Sequence, residues 1–369
     1  MKLCFLIDNA KVTGGGDYYV FKLAEKLAES HQVTIFAANY NSFLATYSAK
    51  PKLFIRNELP KIFKGISRVN ELWETIYTRA VIEPFLKKEK QDFVIGYLRK
   101  PAIKAESLAK KYGAKSASFV FETPVWMEEQ LKDRFRKENQ GRFKRSWDRT
   151  FDSYKKTDLL IPISRLSKKK CEEWIGMKVE EEVYPGIDTF DLPTAEQSNQ
   201  IIYVGRLNEY KNVGDILEAV SLLSQKPKIV LVGTGEEEER LRAMAEKLGV
   251  ECEFKGDISD PEKWKEIRRS LFMVFPSSFE GFGMPPAEAL YCERPCICSD
   301  IPIFKEIYED KVEYFAERDF HMLASRIKEL CDDEKKRKRL GALGRKYITS
   351  RYAWDKSAKK LEGILCTRN

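Results

Sequence analysis

Short apolar runs alternate with amphipathic stretches along most of the chain. Runs rich in β-branched and aromatic residues stand at 3–7, 33–37, 93–96, 117–121 and 159–162, and a second series stands at 201–204, 229–232, 272–275 and 296–298. Runs of this length suit strands buried on both faces, and the amphipathic stretches between them suit crossover helices. The pattern therefore predicts an α/β fold with two Rossmann-like domains, each a doubly wound parallel sheet.

The segment between the two series reads as a linker. Residues 184–200, YPGIDTFDLPTAEQSNQ, break every apolar period with Pro, Gly, Asp and Ser. A chain of 369 residues also exceeds the usual size of one compact core. We expect an N-terminal domain over 1–190 and a C-terminal domain over 191–350. Residues 351–369 are expected to form a last helix, which either ends the second domain or crosses back to the first.

Composition favours a globular protein with reduced thiols. Hydrophobic residues make up 43% of the chain and charged residues 33%, which suits a buried core under a charged surface. The eight cysteines include no Cys-x-x-Cys pair, and the chain enters a strand pattern directly after Met1 without the apolar region of a secretory leader. No run of about 18 apolar residues occurs. A cytoplasmic location is expected.

The positive charge of the chain lies in its first half. Residues 1–191 carry 35 Lys and Arg against 26 Asp and Glu, a net of +9, within a total of +8. Basic residues alternate with aromatic ones at 132–149, and 61–88 is similar. These stretches either contact an anionic membrane peripherally or form solvated helix faces packed by their aromatic residues. No nucleic-acid-binding motif accompanies them, so a nucleic-acid partner is not expected.

The stretch SSFEGFGMPPAEAL (277–290) follows a strand directly and opens a helix through two prolines. The free N–H groups at such a helix start, with the positive end of its dipole, favour a bound phosphate. Glu280 and Glu288 flank this site at a spacing of eight residues. Since carboxylates repel phosphate, we expect them to accept hydrogen bonds from sugar hydroxyls instead.

A pair of cations follows another strand. In IIYVGRLNEYKN (201–212), Arg206 and Lys211 stand in the turn after the strand. The Arg fork and the Lys point charge can together stabilise a leaving diphosphate without a metal ion. The GGG loop at 14–16 follows the first strand, where a tight turn and a ligand-facing loop both remain open as explanations.

Together these motifs resemble a known enzyme family. VGRLNEYKN, LVGTGEEEERL, FKGDIS and FEGFGMPPAEAL occur in the order and spacing of glycosyltransferase family 4, the retaining enzymes of the GT-B fold. The resemblance covers most of residues 200–365. It implies a glycosyltransferase of the hexosyltransferase type that uses a nucleotide-diphosphate sugar and a glycan or lipid-linked acceptor. The nucleotide sugar is a substrate, and neither a separate cofactor nor a metal ion is implied.

The resemblance also assigns roles by position. Arg206 and Lys211 would bind the donor diphosphate, Glu280 the transferred sugar and Glu288 the ribose. The remaining donor contacts that it implies come from main-chain atoms of Phe282, Gly283 and Met284 for sugar and phosphate, of Gly256 and Ile258 for the base, and of Gly15 and Gly16 for the phosphates. The implied mechanism retains the anomeric configuration, with the departing phosphate taking the proton of the acceptor.

One position departs from the family. Many relatives place a histidine after the strand ASFVF, whereas this chain reads FETPVW, with Glu122 near that point. Glu122 either contacts hydroxyls of acceptor or donor or is a structural residue. Two other functions remain open: a nucleotide-sugar epimerase or hydrolase of the same fold, and a non-catalytic protein that binds sugar nucleotides.

Overall fold

The computed structural model describes residues 1–7, 15–38, 51–56, 67–121 and 141–368. The chain divides into two compact units. The first comprises Met1–Gly186 together with Trp354–Asn369, and the second comprises Ile187–Ala353. Glu122 and the first half of the basic stretch 132–149, residues 132–140, lie outside the described residues.

The described residues of the first unit form a parallel sheet in the order β3-β2-β1-β4-β5-β6. Its strands are β1 (Lys2–Ile7), β2 (Gln32–Ala38), β3 (Lys52–Arg56), β4 (Phe93–Tyr97), β5 (Lys115–Val120) and β6 (Leu159–Pro162). The helices between them are α1 (Gly15–Leu27), α2 (Ser67–Tyr77), α3 (Glu83–Lys88), α4 (Arg99–Tyr112), α5 (Gly141–Tyr154) and α6 (Arg165–Ile175), with a π-helical segment, Thr78–Ile82, joining α2 to α3.

The second unit repeats this layout. Its strands β7 (Gln200–Val204), β8 (Lys228–Val232), β9 (Cys252–Gly256), β10 (Met273–Phe275), β11 (Cys296–Ser299) and β12 (Glu313–Phe315) lie in the order β12-β11-β10-β7-β8-β9. Its helices are α7 (Gly214–Ser221), α8 (Glu238–Leu248), α9 (Asp260–Arg269), α10 (Met284–Tyr291), α11 (Pro302–Tyr308), α12 (Phe320–Asp332) and α13 (Glu334–Arg351). The expected fold class, two doubly wound parallel sheets, is confirmed.

Apolar side chains of the central strands pack directly against the helices. Cys4 on β1 and Val94 on β4 are fully buried in one cluster with Leu86 of α3 and Leu108 of α4. Burying one such leucine contributes about 1.5–3 kcal/mol relative to leaving it exposed. All eight cysteines lie in the described part of the chain and are free thiols. Burial raises the pKa of Cys171 and Cys292 to about 12, so these thiols stay neutral.

The C-terminal helical stretch is interrupted. Helix α13 ends at Arg351, and a new helix, α14 (Trp354–Arg368), begins after two extended residues. At the interruption, the Ile187 N–H donates to the Tyr352 carbonyl at 3.0 Å. Helix α14 packs on α1 within the first unit, where the Lys26 ammonium lies 2.7 Å from Asp355.

Candidate functional site

Both sheets have a switch point where the winding of the chain reverses. In the second unit it lies between β7 and β10, whose Met273 and Ile202 pair directly. Ligands of open α/β sheets bind at the carboxyl ends of the strands at this point. Arg206 and Lys211 follow β7, and Glu280 follows β10. The topology therefore brings these three predicted residues to the two loops of the switch point.

Lys211 and Glu280 form a buried ion pair. The Lys211 Nζ lies 2.5 Å from Glu280 Oε1, and the two side chains are only 9% and 12% exposed. Taking both charges out of water is costly, and their mutual attraction offsets that cost only in good geometry. The negative charge of Glu280 is therefore balanced by the charge of Lys211, which reduces the repulsion between this carboxylate and any incoming phosphate.

Arg206 shares a neighbour with Lys211. It is exposed, and its Nη2 donates to the Tyr210 hydroxyl at 2.7 Å. The Lys211 ammonium lies 4.9 Å from the centroid of the same Tyr210 ring. Tyr203 supports the turn by donating its hydroxyl to the Arg206 carbonyl at 2.8 Å. Two cations therefore border one aromatic ring, one shielded from water and one open to it.

A polar network that the sequence did not reveal joins the two loops. Asn212 has a left-handed backbone (φ 49°), which asparagine tolerates, and its Nδ2 donates to the Pro276 carbonyl at 3.1 Å and to the Ser278 hydroxyl. The Ser278 N–H in turn donates to the Tyr210 carbonyl at 2.9 Å. Arg318 reaches in from after β12 to pair with buried Asp215 at 3.0 Å. These bonds fix the loop carrying Lys211 against the loop carrying Glu280.

The start of α10 is built to leave main-chain donors available. Gly283 is its N-cap residue and has a left-handed φ of 88°. No side chain caps the helix there, and its first turn contains Pro285 and Pro286, which carry no N–H, so the donors at this start are the N–H groups that precede them. Phe282 is buried with its ring against Tyr352, and the Tyr308 hydroxyl donates to the Gly283 carbonyl. Phe282, Gly283 and Met284 thus hold the main chain at a helix start of the kind that binds anions.

Glu288, on α10, has a partner that the sequence analysis missed. Its Oε1 lies 2.9 Å from Lys263 Nζ on α9, and Lys263 also contacts Asp260 at 3.1 Å. Burial raises the pKa of Glu288, and Lys263 opposes this effect. Burial would lower the pKa of Lys263, but Glu288 and Asp260 outweigh it and the pKa is raised. Lys263 therefore keeps its charge beside the carboxylate.

The other predicted positions lie further from the switch point. Gly256 ends β9, two strands away from β7, with φ 66°, and its carbonyl accepts from the Gly233 N–H at 2.8 Å. Ile258 follows it and is half-buried. Gly256 and Ile258 share the carboxyl edge of the sheet with Lys211 and Glu280.

In the first unit, the predicted glycines begin a helix at the corresponding switch point. Gly15 is the first residue of α1 and is exposed, while a Cβ on Gly16 would lie 3.5 Å from the Phe121 ring. In the next residue, the Asp17 carboxylate accepts from the Tyr97 hydroxyl at the end of β4. The loop before Gly15 and Glu122 lie outside the described residues.

The aromatic residues of the two basic stretches differ in exposure. Trp147 on α5 is buried, with its ring 5.7 Å from that of Phe151, so packing explains this part of the stretch 132–149. On α2, by contrast, Leu72, Trp73 and Ile76 are 60%, 37% and 45% exposed. None of the helices in the described ranges has the length and apolar character needed to cross a membrane.

The second unit, which contains the site, matches the model of a known family. Residues 187–347 match the family model of glycosyl transferases group 1. A Campylobacter jejuni protein is 29% identical over 166 residues, which cover 40% of this chain and 42% of the relative. It is N-acetylgalactosamine-N,N'-diacetylbacillosaminyl-diphospho-undecaprenol 4-alpha-N-acetylgalactosaminyltransferase. The chain spans about half the length of the curated relatives it matches.

Solved structures extend the likeness to the whole chain. Sucrose-phosphate synthase from Thermosynechococcus elongatus matches 100% of this chain and 99% of its own, with a TM-score of 0.80 at 17% identity. HepE of Anabaena, in complex with UDP-glucose, matches 100% of both chains with a TM-score of 0.77 at 15% identity. At these identities the likeness concerns the fold alone. The chain has the GT-B fold of glycosyltransferases, and its residues 187–347 match the glycosyl transferases group 1 family.

Proposed function

We propose that this protein is a retaining glycosyltransferase of family 4 that transfers a hexose-type sugar from a nucleotide-diphosphate donor to a glycan or lipid-linked acceptor. The observation that carries the proposal is the Lys211–Glu280 ion pair at the switch point, beside exposed Arg206 and the uncapped start of α10. The cations and main-chain donors can bind a diphosphate, and the carboxylate paired with Lys211 can accept hydrogen bonds from sugar hydroxyls.

The donor diphosphate lies against Arg206, Lys211 and the N–H groups of Gly283 and Met284 at the start of α10 in this proposal. Its sugar hydroxyls meet Glu280, its ribose meets Glu288, and its base lies by Gly256 and Ile258. In the reaction, the bond between the anomeric carbon and the phosphate oxygen breaks as the acceptor oxygen bonds to the same face. The departing phosphate takes the acceptor proton, so no protein base is required.

Negative charge grows on the leaving diphosphate during this step. Arg206 and Lys211 stabilise that charge from fixed positions, which is the arrangement that favours the transition state over the ground state. We therefore propose that the reaction proceeds without a metal ion. The chain lacks the Asp-x-Asp motif of metal-dependent transferases, which supports this proposal.

UDP-sugars and lipid-linked glycans are the first substrates to test. The fold neighbour HepE is described in complex with UDP-glucose, and the relative from Campylobacter jejuni is named for transfer to a diphospho-undecaprenol-linked sugar. These names support a UDP-sugar donor and a lipid-linked acceptor here.

Nucleotide binding gives the first test. In the presence of EDTA, we expect one of UDP, GDP and ADP to stabilise the protein by about 2.7 kcal/mol at a concentration of 100 Kd, because it binds only the folded state. Arg206→Ala and Glu288→Ala are expected to lose most of that stabilisation in a thermal-shift assay. No stabilisation of the wild-type protein by any of the three would contradict the proposed donor site. Release of free sugar from the corresponding nucleotide sugar by water, without transfer to an acceptor, would favour a hydrolase.

We further propose a peripheral contact between α2 and an anionic membrane surface at the cytoplasmic face. Leu72, Trp73 and Ile76 are exposed within four helical positions of one another, on a half-chain whose net charge is +9. Exposed apolar side chains on a positively charged part of the chain suit the boundary between headgroups and acyl chains. The observed exposure favours α2 over the stretch 132–149, where Trp147 is buried.

Vesicle binding tests this contact. Exchanging Leu72, Trp73 and Ile76 together for serine is expected to lower co-sedimentation with vesicles containing phosphatidylserine by at least about fivefold, since about 1.5–3 kcal/mol attaches to each buried apolar side chain. Leu222→Ser, at a leucine 51% exposed in the second unit, is the matched control and is expected to change nothing. Equal sedimentation of the triple variant and the wild type would rule out α2 as the contact.

A further inference from the structure

Lys263, in the second unit, forms ion pairs with two carboxylates from different helices. It lies on α9, 2.9 Å from Glu288 on α10 and 3.1 Å from Asp260 in its own first turn. Its ammonium also lies 4.8 Å from the centroid of the Trp264 ring. The side chains of Lys263 and Glu288 are 17% and 14% exposed, so the pair is largely shielded from water.

The pair occupies only one oxygen of the Glu288 carboxylate. Lys263 contacts Oε1, and no hydrogen bond to Oε2 is found among the described residues. Oε2 is not one of the buried side-chain atoms that lack a partner in the described part of the chain, so this oxygen can be reached by solvent. One oxygen is fixed by the lysine, and the other is available to an incoming donor group.

The charge of Lys263 also affects the pKa of Glu288, which is raised overall. Burial favours the neutral carboxyl group, and the nearby ammonium favours the carboxylate. An ionised carboxylate accepts stronger hydrogen bonds from hydroxyl groups than a neutral one does. Asp260 also contacts this ammonium, at 3.1 Å, and helps to hold it in place.

We propose that Lys263 is a positioning residue for nucleotide recognition, which holds the Glu288 carboxyl group through Oε1 and leaves Oε2 to accept a hydrogen bond from a ribose hydroxyl. The proposal rests on the proposed function, which places the ribose at Glu288. It extends that function by making the preference for a ribonucleotide depend on a lysine that does not itself touch the sugar. Nucleotides that lack the ribose hydroxyls are expected to gain nothing from it.

The test compares two ligands on three proteins. The ligands are whichever of UDP, GDP and ADP binds the wild-type protein and its 2′,3′-dideoxy analogue, with affinities from calorimetry. The wild type is expected to prefer the ribonucleotide by roughly tenfold, the size of one charge-assisted hydrogen bond. Lys263→Met is expected to lose most of that preference, and Lys263→Arg to keep it. Comparing the loss of binding free energy on removal of the ribose hydroxyls between the wild type and Lys263→Met gives the coupling energy between Lys263 and those hydroxyls.

The controls separate this inference from the fold and from the donor site. Lys336 is 15% exposed and bridges Glu313 and Glu329 at 2.7 Å each, so Lys336→Met removes an equivalent buried cation elsewhere in the unit and is expected to keep the wild-type preference. A Lys263→Met protein that retains the tenfold preference would overturn the role of Lys263 alone. A wild-type protein that binds none of the three nucleotides would overturn the donor site itself.

Discussion

Lys211→Met is expected to lower kcat/KM for sugar transfer by about 10²- to 10³-fold, the cost of removing one preorganised donor from a developing oxyanion. The substitution keeps most of the length of the side chain and removes the charge that lies 2.5 Å from Glu280. The leaving diphosphate then loses a shielded cation and meets a carboxylate without its partner. The rate is measured with the donor that the thermal screen identifies, at saturating acceptor.

Binding measurements distinguish this loss of charge from a loss of folding. Lys211→Met is expected to weaken nucleoside diphosphate binding by at least tenfold and to leave the affinity for the corresponding nucleoside unchanged, since the nucleoside carries no phosphate. Lys211→Met combined with Glu280→Gln removes the unpaired buried carboxylate and is expected to recover part of the diphosphate affinity. If diphosphate and nucleoside weaken equally, Lys211 does not act on the phosphates.

Each of the two glutamates of the site is paired with a lysine. Glu280 is paired with Lys211 and Glu288 with Lys263, and each pair joins two segments that are distant in sequence. Without these lysines, two buried carboxylates would stand where a diphosphate is proposed to bind, and they would repel it. The pairs remove net negative charge while keeping the carboxylate oxygens as acceptors for sugar and ribose hydroxyls.

The strands that sequence reading missed share a position in the fold. The apolar runs predicted nine of the strands, whereas β3, β9 and β12 were not predicted, and each of these three lies at the edge of its sheet. An edge strand is covered less completely, so its sequence need not be a continuous apolar run. In β9, CEFKG, every residue is half-buried and charged residues interrupt the apolar ones.

The site could be predicted in part for a similar reason. Arg206, Lys211 and Glu280 stand in loops directly after strands, where the topology of a parallel sheet determines which loops meet. Lys263 lies in the first turn of a charged helix, DPEKWKEIRR (260–269), and reads like a solvated surface residue. Its contact with Glu288, 25 positions later, depends on the packing of α9 against α10, which no local pattern encodes. Arg318 and Asp215 escaped notice in the same way.

Gly283→Ala is expected to destabilise the second unit by about 2–5 kcal/mol, the sum of left-handed backbone strain and overpacking. Gly283 has φ 88°, and a Cβ there would lie 2.6 Å from Cε1 of Phe304. Phe304 is fully buried with its ring 5.8 Å from that of Phe275, so it has little room to move. At about 2–4 °C per kcal/mol for a unit of this size, the melting temperature falls by several degrees.

Gly249→Ala separates the clash from the strain. Gly249 also has a left-handed backbone, φ 58°, at the end of α8, but nothing lies within 4 Å of its Cβ position. Its substitution is expected to cost only the strain, about 1–2 kcal/mol, and to leave nucleotide binding intact. Gly283→Ala should also weaken nucleotide binding below its melting temperature, because moving the start of α10 moves the N–H groups proposed to meet the phosphate. If the two substitutions lower stability equally, Phe304 moves aside and the clash is absent. If they also affect nucleotide binding equally, the start of α10 does not contact the phosphate.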